Sequence, residues 1–315
     1  MQSVIATVAP IFGLIAIGFL IARTAYLPDT AGKGLAEFVY AVAIPALLFR
    51  TMIETGHVEV SPLALWASYY GAVAVVWLIA ALLARFVLRR TPTDGASIAM
   101  ASGFGNIVML GLPLALDRFG AEAGTPTAVI IAISSPILWF AGTLHIELAA
   151  RRGDSSLMAM LRDLLVSLIR NPIIMSLVAG SLYGLTGIGL HPVLDKTIAL
   201  LGQAAIPGSL LALGLGLAAF KLSGQAATIA AIVFLSLVAT PAVAWVLAFD
   251  VFGLPPVWAG VTVLLAACPP GANAFLFATH FKAAAGSVSA AVAVGTALAP
   301  ITVSIVILLL EGRIL

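Results

Sequence analysis

Two asparagines lie where an amide could bind a ligand inside an otherwise apolar chain. Asn106 sits in GFGNIVMLGLP and Asn273 in CPPGANAFLFA. A primary amide donates two N–H groups, so it can hold a carboxylate without a fixed charge being buried in the membrane. The residues around them, Gly105, Pro113, Pro269, Pro270 and Gly271, mark places where a helix cannot run on. Proline in a helix interior removes a backbone donor and clashes with the preceding turn, at about 3 kcal/mol. A helix that restarts after such a break presents free N–H groups and the positive end of its dipole, which suits an anion. The internal alternative is that the two amides satisfy each other, or the carbonyls that the breaks release.

Asn171 and Gln203 are further candidates for substrate contact. Asn171 precedes Pro172, an order that equally suits a plain helix cap. Gln203, the most polar residue of its apolar run, could instead bridge two helices. Ser134 and Ser135 precede Pro136 and are expected to repair the hydrogen bonds it breaks. Glu37 is an ionisable residue close to the hydrocarbon, or else an interfacial carboxylate that snorkels.

Other chemistries find little support. The single cysteine, Cys268, excludes an internal disulfide and a thiolate metal site, and the four histidines are scattered. No cofactor or metal is expected. A hydrolase inside the membrane would need a serine with a histidine, or two facing aspartates. His145 is the one histidine within an expected span, and no aspartate lies inside one. The chain has no Walker motif, so it is not expected to drive anything by nucleotide hydrolysis. A net charge of +2 points away from a nucleic-acid partner. The chain reads as a non-enzyme.

The elements that must position these residues are membrane spans. Of 315 residues 62% are hydrophobic and 9% charged, with a mean hydropathy of +1.16, whereas soluble domains carry about 25% charged residues. About 20 apolar residues cross the hydrocarbon core. Such runs predict an all-α polytopic membrane protein with ten transmembrane helices, at 3–22, 34–53, 63–84, 95–116, 123–145, 171–190, 197–220, 225–249, 257–279 and 286–310. The second is the weakest, because Glu37 and Arg50 flank a short uncharged core. The first lacks a cationic leader and a cleavage site, so it is expected to be retained. The stretch LMAMLRDLLVSL, between the fifth and sixth runs, is amphipathic and suits the membrane surface.

Loops after odd-numbered spans hold eleven Lys and Arg residues; the other side holds four, Arg50, Arg118, Lys196 and Arg313. The excess places the odd loops in the cytoplasm and both termini outside.

The halves echo each other. Ala9-Pro10 recurs as Asn171-Pro172 and Ala43-Ile44-Pro45 as Ala205-Ile206-Pro207, both at an offset of 162. Asn106 and Asn273 differ by 167, and Ser135-Pro136 and Ala299-Pro300 by 164. Residues 1–150 then form a first five-helix repeat, 151–170 a cytoplasmic linker and 171–315 a second repeat. Five spans is an odd number, so the second copy enters the bilayer inverted. Interrupted helices at matching places, here spans four and nine, are the sequence pointer to a secondary-transport site.

Four segments, GNIVMLGLP, RNPIIMSLVAG, AIPGSLLALGLGLA and PPGANAFLFATHF, together give the chain a resemblance to the auxin efflux carrier family over essentially its full length. It is similar to the compact bacterial members. The resemblance implies a fold similar to sodium/proton antiporters and bile-acid symporters, with broken helices four and nine crossing near the midplane. Spans 1, 2, 6 and 7 would form a scaffold unit, and spans 3–5 and 8–10 a transport unit. Family substrates are organic anions, auxin in plants and dicarboxylates such as malate and malonate in some bacterial relatives. Asn106 matches the asparagine of the first crossover motif, which helps hold the substrate carboxylate. Pro113, Pro270 and Asn171 also match the family pattern. Asn273 departs from it, since plant carriers have an apolar residue there, so its candidacy rests on the repeat.

The expectation is an organic-anion transporter of the cell (inner) membrane, working by alternating access. Its partners would be a small organic anion and the lipid bilayer, with a homodimer possible. A channel or sensor of the same fold is the alternative, and an intramembrane hydrolase a remote one.

Overall fold

A computed structural model describes residues 2–28, 30–55, 61–150 and 157–314. Among them every regular element is a helix and there is no strand, only one isolated bridge between Gly105 and Pro270. Chain order runs α1 (Gln2–Arg23), α2 (Thr30–Phe38), α3 (Ile44–Thr55), α4 (Pro62–Leu82), α5 (Pro92–Gly103), α6 (Leu112–Phe119), α7 (Gly124–Ala150) and α8 (Leu157–Arg170). It continues through α9 (Pro172–Leu185), α10 (Pro192–Gln203), α11 (Ala205–Leu217), α12 (Ala226–Phe234), α13 (Thr240–Trp245), α14 (Pro256–Ala266), α15 (Ala272–His280) and α16 (Ala285–Ile314).

Proline organises these elements in two ways. It opens α4, α5, α9, α10 and α14, where its missing N–H would have had no intrahelical partner anyway. Three other prolines each follow a widened π turn at a fixed distance. The turns Val39–Ala43, Ile107–Gly111 and Leu235–Ala239 begin six residues before Pro45, Pro113 and Pro241 (45 − 39, 113 − 107 and 241 − 235). A wider turn relieves the clash between the proline ring and the carbonyl four residues back.

Seven helical stretches among the described residues are long and apolar enough to cross a membrane, or eight if the bent pair α8 and α9 (56°) counts as one. Helix, interrupted or not, occupies all ten expected runs, but several pieces fall short singly. The 11 residues of α14 extend roughly 16 Å, against about 30 Å of hydrocarbon. The weak second run is a stretch of 24 residues, Thr30–Ile53, continued through its π turn. The amphipathic stretch folds as α8, with no buried residue and with Met158, Leu165 and Ile169 exposed.

Packing depends on small residues. At Gly18 a Cβ would stand 2.5 Å from the Leu211 carbonyl, and at Gly180 one would stand 2.5 Å from that of Phe49. These contacts join α1 to α11 and α9 to α3, and both ends are offset by 162 (180 − 18 and 211 − 49). Helix ends recur too. The π turns Leu83–Val87 and Val246–Val251 close with Leu88 N–H on the Leu83 carbonyl and Phe252 N–H on that of Leu247. A left-handed residue follows each, Arg89 (φ 51°) and Gly253 (φ 55°).

Three ion pairs lock one set of helix ends: Arg50–Asp195 at 2.8 Å, Arg118–Glu311 at 3.5 Å and Arg313–Asp250 at 3.3 Å. Each joins two ends that the charge count assigns to the outer side.

Candidate functional site

The breaks of the fourth and ninth runs meet. Between α5 and the π turn Ile107–Gly111 lies Phe104–Asn106, and between α14 and α15 lies Ala267–Gly271. They pair antiparallel: Asn106 N–H donates to the Pro269 carbonyl at 2.8 Å, and Gly271 N–H to that of Phe104 at 3.0 Å. Gly105 and Pro270 face each other between these two bonds. That is a position whose own N–H groups take no part in the ladder, so Pro270 loses nothing by lacking one. It is also where antiparallel backbones come closest, which explains the glycine. A Cβ on Gly105 would lie 3.1 Å from the Cys268 carbonyl oxygen and 3.2 Å from Cys268 Cβ.

The groups displaced by this pairing are satisfied from residues 235–240, where α12 runs through a π turn into α13. Asn106 N–H has left the Ser102 carbonyl, which the Thr240 hydroxyl approaches at 3.4 Å. Ser236 donates to the Cys268 carbonyl at 3.2 Å. Buried backbone polar groups require such partners, and in the membrane irregular backbone survives only with them or beside a wet cavity.

Asn106 is 9% exposed and has two distinct ends. Its Oδ1 accepts from Met109 N–H at 3.3 Å, capping the helix that restarts after the break. Because the oxygen must face that donor, the Nδ2 group turns away, and it has no hydrogen-bond partner among the described residues. Asn273 lies in the first turn of α15, half-buried, with its Nδ2 3.4 Å from Ser135 Oγ. Each asparagine therefore stands at the N-terminal end of a helix that restarts at the crossing, where free N–H groups and positive dipole ends converge.

Ser135 also lines a cavity of about 510 Å³ with Tyr40, Trp139, Asp163, Arg170 and Asn171 among its walls. Asn171 is 7% exposed and both ends of its amide are engaged. Its Oδ1 caps α9 by accepting from Ile173 N–H at 2.9 Å, and its Nδ2 donates to the Ala132 carbonyl at 3.4 Å. Ala132 is the residue whose helical donor Pro136 removes.

That corrects one expectation about the serines. Ser134 returns its hydroxyl to the Ile130 carbonyl at 2.8 Å, beside Tyr70, and Ser135 turns to Asn273. Repair of the proline break comes from Asn171, 39 residues away.

Gln203 ends α10 and is exposed, with no hydrogen bond from its side chain among the described residues. Among the described residues it makes no hydrogen bond to Asn106 or Asn273. Glu37 is exposed on α2. His145 accepts from Trp77 Nε1 at its Nδ1, at 3.0 Å. Tyr40, Ser135 and Arg170 were not singled out from the sequence as candidates for ligand contact. Tyr40 lies in the π turn before Pro45, a signal readable only once the six-residue spacing is known.

Comparison with known proteins agrees with this architecture. The family model described as "Membrane transport protein" matches residues 3–307. A protein of Rhizobium meliloti (strain 1021) named "Putative malonate transporter" is 29% identical over 307 residues, covering 96% of this chain and 95% of its own length.

Proposed function

The chain belongs to the membrane transport protein family of auxin efflux carriers, and from that premise we propose that it is a secondary carrier of small carboxylates, dicarboxylates of malonate size foremost. The observation that carries the reading is the unengaged Nδ2 of Asn106 at the crossing of two interrupted helices. Asn106 and Asn273 hold the carboxylates there, helped by the N-terminal ends beside them. Neutral donors in a low-dielectric site bind an anion without the desolvation that a buried cation would cost. The name of the Rhizobium relative supports the dicarboxylate class.

The helices form ten spans in two inverted repeats, with both termini outside. Supporting this are the Gly18–Leu211 and Gly180–Phe49 contacts at one offset, the matching ends after Val87 and Val251, and ion pairs that join only ends assigned to one side. Spans 1, 2, 6 and 7 act as scaffold, and spans 3–5 and 8–10 move against them. The cavity beside Ser135 is the cytoplasmic approach to the site. Asn171 braces its wall, and Gln203 lies outside the binding contacts.

Counterflow in proteoliposomes tests the proposal. Radiolabelled malonate should enter faster when unlabelled malonate fills the lumen, and other small carboxylates should compete. Saturable uptake of an organic cation that carboxylates do not inhibit would overturn it. A flux with no acceleration by internal substrate would indicate a channel instead.

A further inference from the structure

We propose that the cleft between α16 and the pair α1 and α11 is a binding site for an anionic phospholipid, its phosphate held by Arg23 and Lys221 and an acyl chain lying in the cleft. The cavity has a volume of about 740 Å³, within the roughly 300–1,000 Å³ usual for ligand pockets. Its walls are apolar, with Phe12, Phe19, Val294 and Pro300 among them, and Arg23 and Lys221 are the charged residues of the lining. Both lie at or just past helix ends, Arg23 closing α1 and Lys221 following α11, so the charge stands at one end of an apolar channel. That is the form of a lipid.

The charge pattern selects the anionic class. On the opposite set of helix ends, Arg50, Arg118 and Arg313 are each matched by a carboxylate. Arg23 and Lys221 have no ion-pair partner among the described residues, and both are exposed. Arg23 lies over the Phe19 ring at 5.5 Å, which extends it along the cleft wall. Lys221 is anchored through its backbone, whose N–H donates to Ser289 Oγ at 3.0 Å and whose carbonyl accepts from it at 3.2 Å. Two cations at the mouth of an apolar cleft match a phosphate above an acyl chain, and they lie on the side that the charge count makes cytoplasmic.

The site is tested on the full chain in mild detergent, back-titrated with phosphatidylglycerol or with phosphatidylcholine of the same acyl chains. Native mass spectrometry reads the retained lipid, and thermal unfolding reads the stabilisation. Wild type should retain phosphatidylglycerol in preference. Each cation near an anionic headgroup contributes about fivefold in affinity, so Arg23→Gln with Lys221→Gln should lose about 25-fold for phosphatidylglycerol and nothing for phosphatidylcholine. Ala297→Trp, which fills the cleft and leaves both cations in place, should lose it too; the single Lys221→Gln serves if the double variant unfolds. Affinity for phosphatidylglycerol within about threefold of wild type in either the double or the filled variant overturns the proposal. So does equal occupancy by glycerol phosphate or malonate, which would make this a site for soluble anions. Because the readout is lipid binding, a failure here leaves the transport reading untouched, and a failure of transport leaves this one.

Discussion

Asn171 donates its side-chain amide to the carbonyl of Ala132, the group that Pro136 leaves without a helical donor. One side chain thus begins α9 and repairs α7, so the two helices are tied at the wall of the cavity beside the crossing. Sequence spacing alone shows a cap. It does not show the second bond, because the partner is a backbone atom elsewhere in the chain.

This relationship predicts a compensating pair. Asn171→Ala should destabilise the protein by about 1–3 kcal/mol, the cost of an unpaired buried carbonyl, with up to about 2 kcal/mol more from the lost cap. Pro136→Ala restores an N–H to the Ala132 carbonyl. In that background Asn171→Ala should cost only the cap. Thermal or denaturant unfolding of the four proteins in detergent measures the cycle, and equal costs in both backgrounds would refute the link.

At the crossing, Asn106→Ala and Asn106→Asp should part ways. Alanine removes both ends of the amide, so stability should fall by about 1 kcal/mol through the lost cap. Carboxylate affinity should fall about ten- to a hundredfold, from a charge-assisted bond worth about 1.5–3 kcal/mol. Aspartate keeps an oxygen for Met109 N–H but replaces the free donor with negative charge. It should lose the substrate and also lower the melting temperature, because an ionised carboxylate is buried there without a counter-charge. Binding by calorimetry beside melting curves checks this; an Asp variant that binds malonate normally would remove Asn106 from the site.

The close approaches at Gly18 and Gly180 should prove equivalent. A valine at either position forces a side chain onto a backbone carbonyl, of Leu211 or of Phe49. Overpacking of this kind costs about 1–3 kcal/mol. Gly18→Val and Gly180→Val should therefore lower stability by similar amounts and add when combined, since they act on separate helix pairs. A large effect from one and none from the other would count against the repeat.

Orientation is open to single-cysteine labelling, made simpler because Cys268 is fully buried. In intact cells an impermeant maleimide should label Glu122→Cys and leave Gln225→Cys unlabelled until the membrane is opened. The reverse pattern would invert the topology.

Much of this was legible in advance, for physical reasons that differ by residue. The helical membrane class follows from hydropathy, and the breaks at Gly105 and Pro270 from the stereochemistry of those two residue types. The seating of Asn106 was half legible. Its place at a break was expected, but the cap on Met109 N–H depends on the exact turn at which the helix restarts. Ser135 is not legible in this way, because a serine before a proline ordinarily bonds within its own helix, whereas here it faces Asn273.

The pairing of Phe104–Asn106 with Pro269–Gly271 carries an evolutionary consequence. Side chains alternate between two faces along a paired backbone, so adding or removing one residue in either break would turn its neighbours to the opposite face. Asn106 would then leave its cap, and the proline would move to a position that needs an N–H. Insertions and deletions in one break should therefore survive only with a matching change in the other. The lengths of these two short segments should therefore vary together among relatives, although 163 residues separate Asn106 from Pro269 (269 − 106).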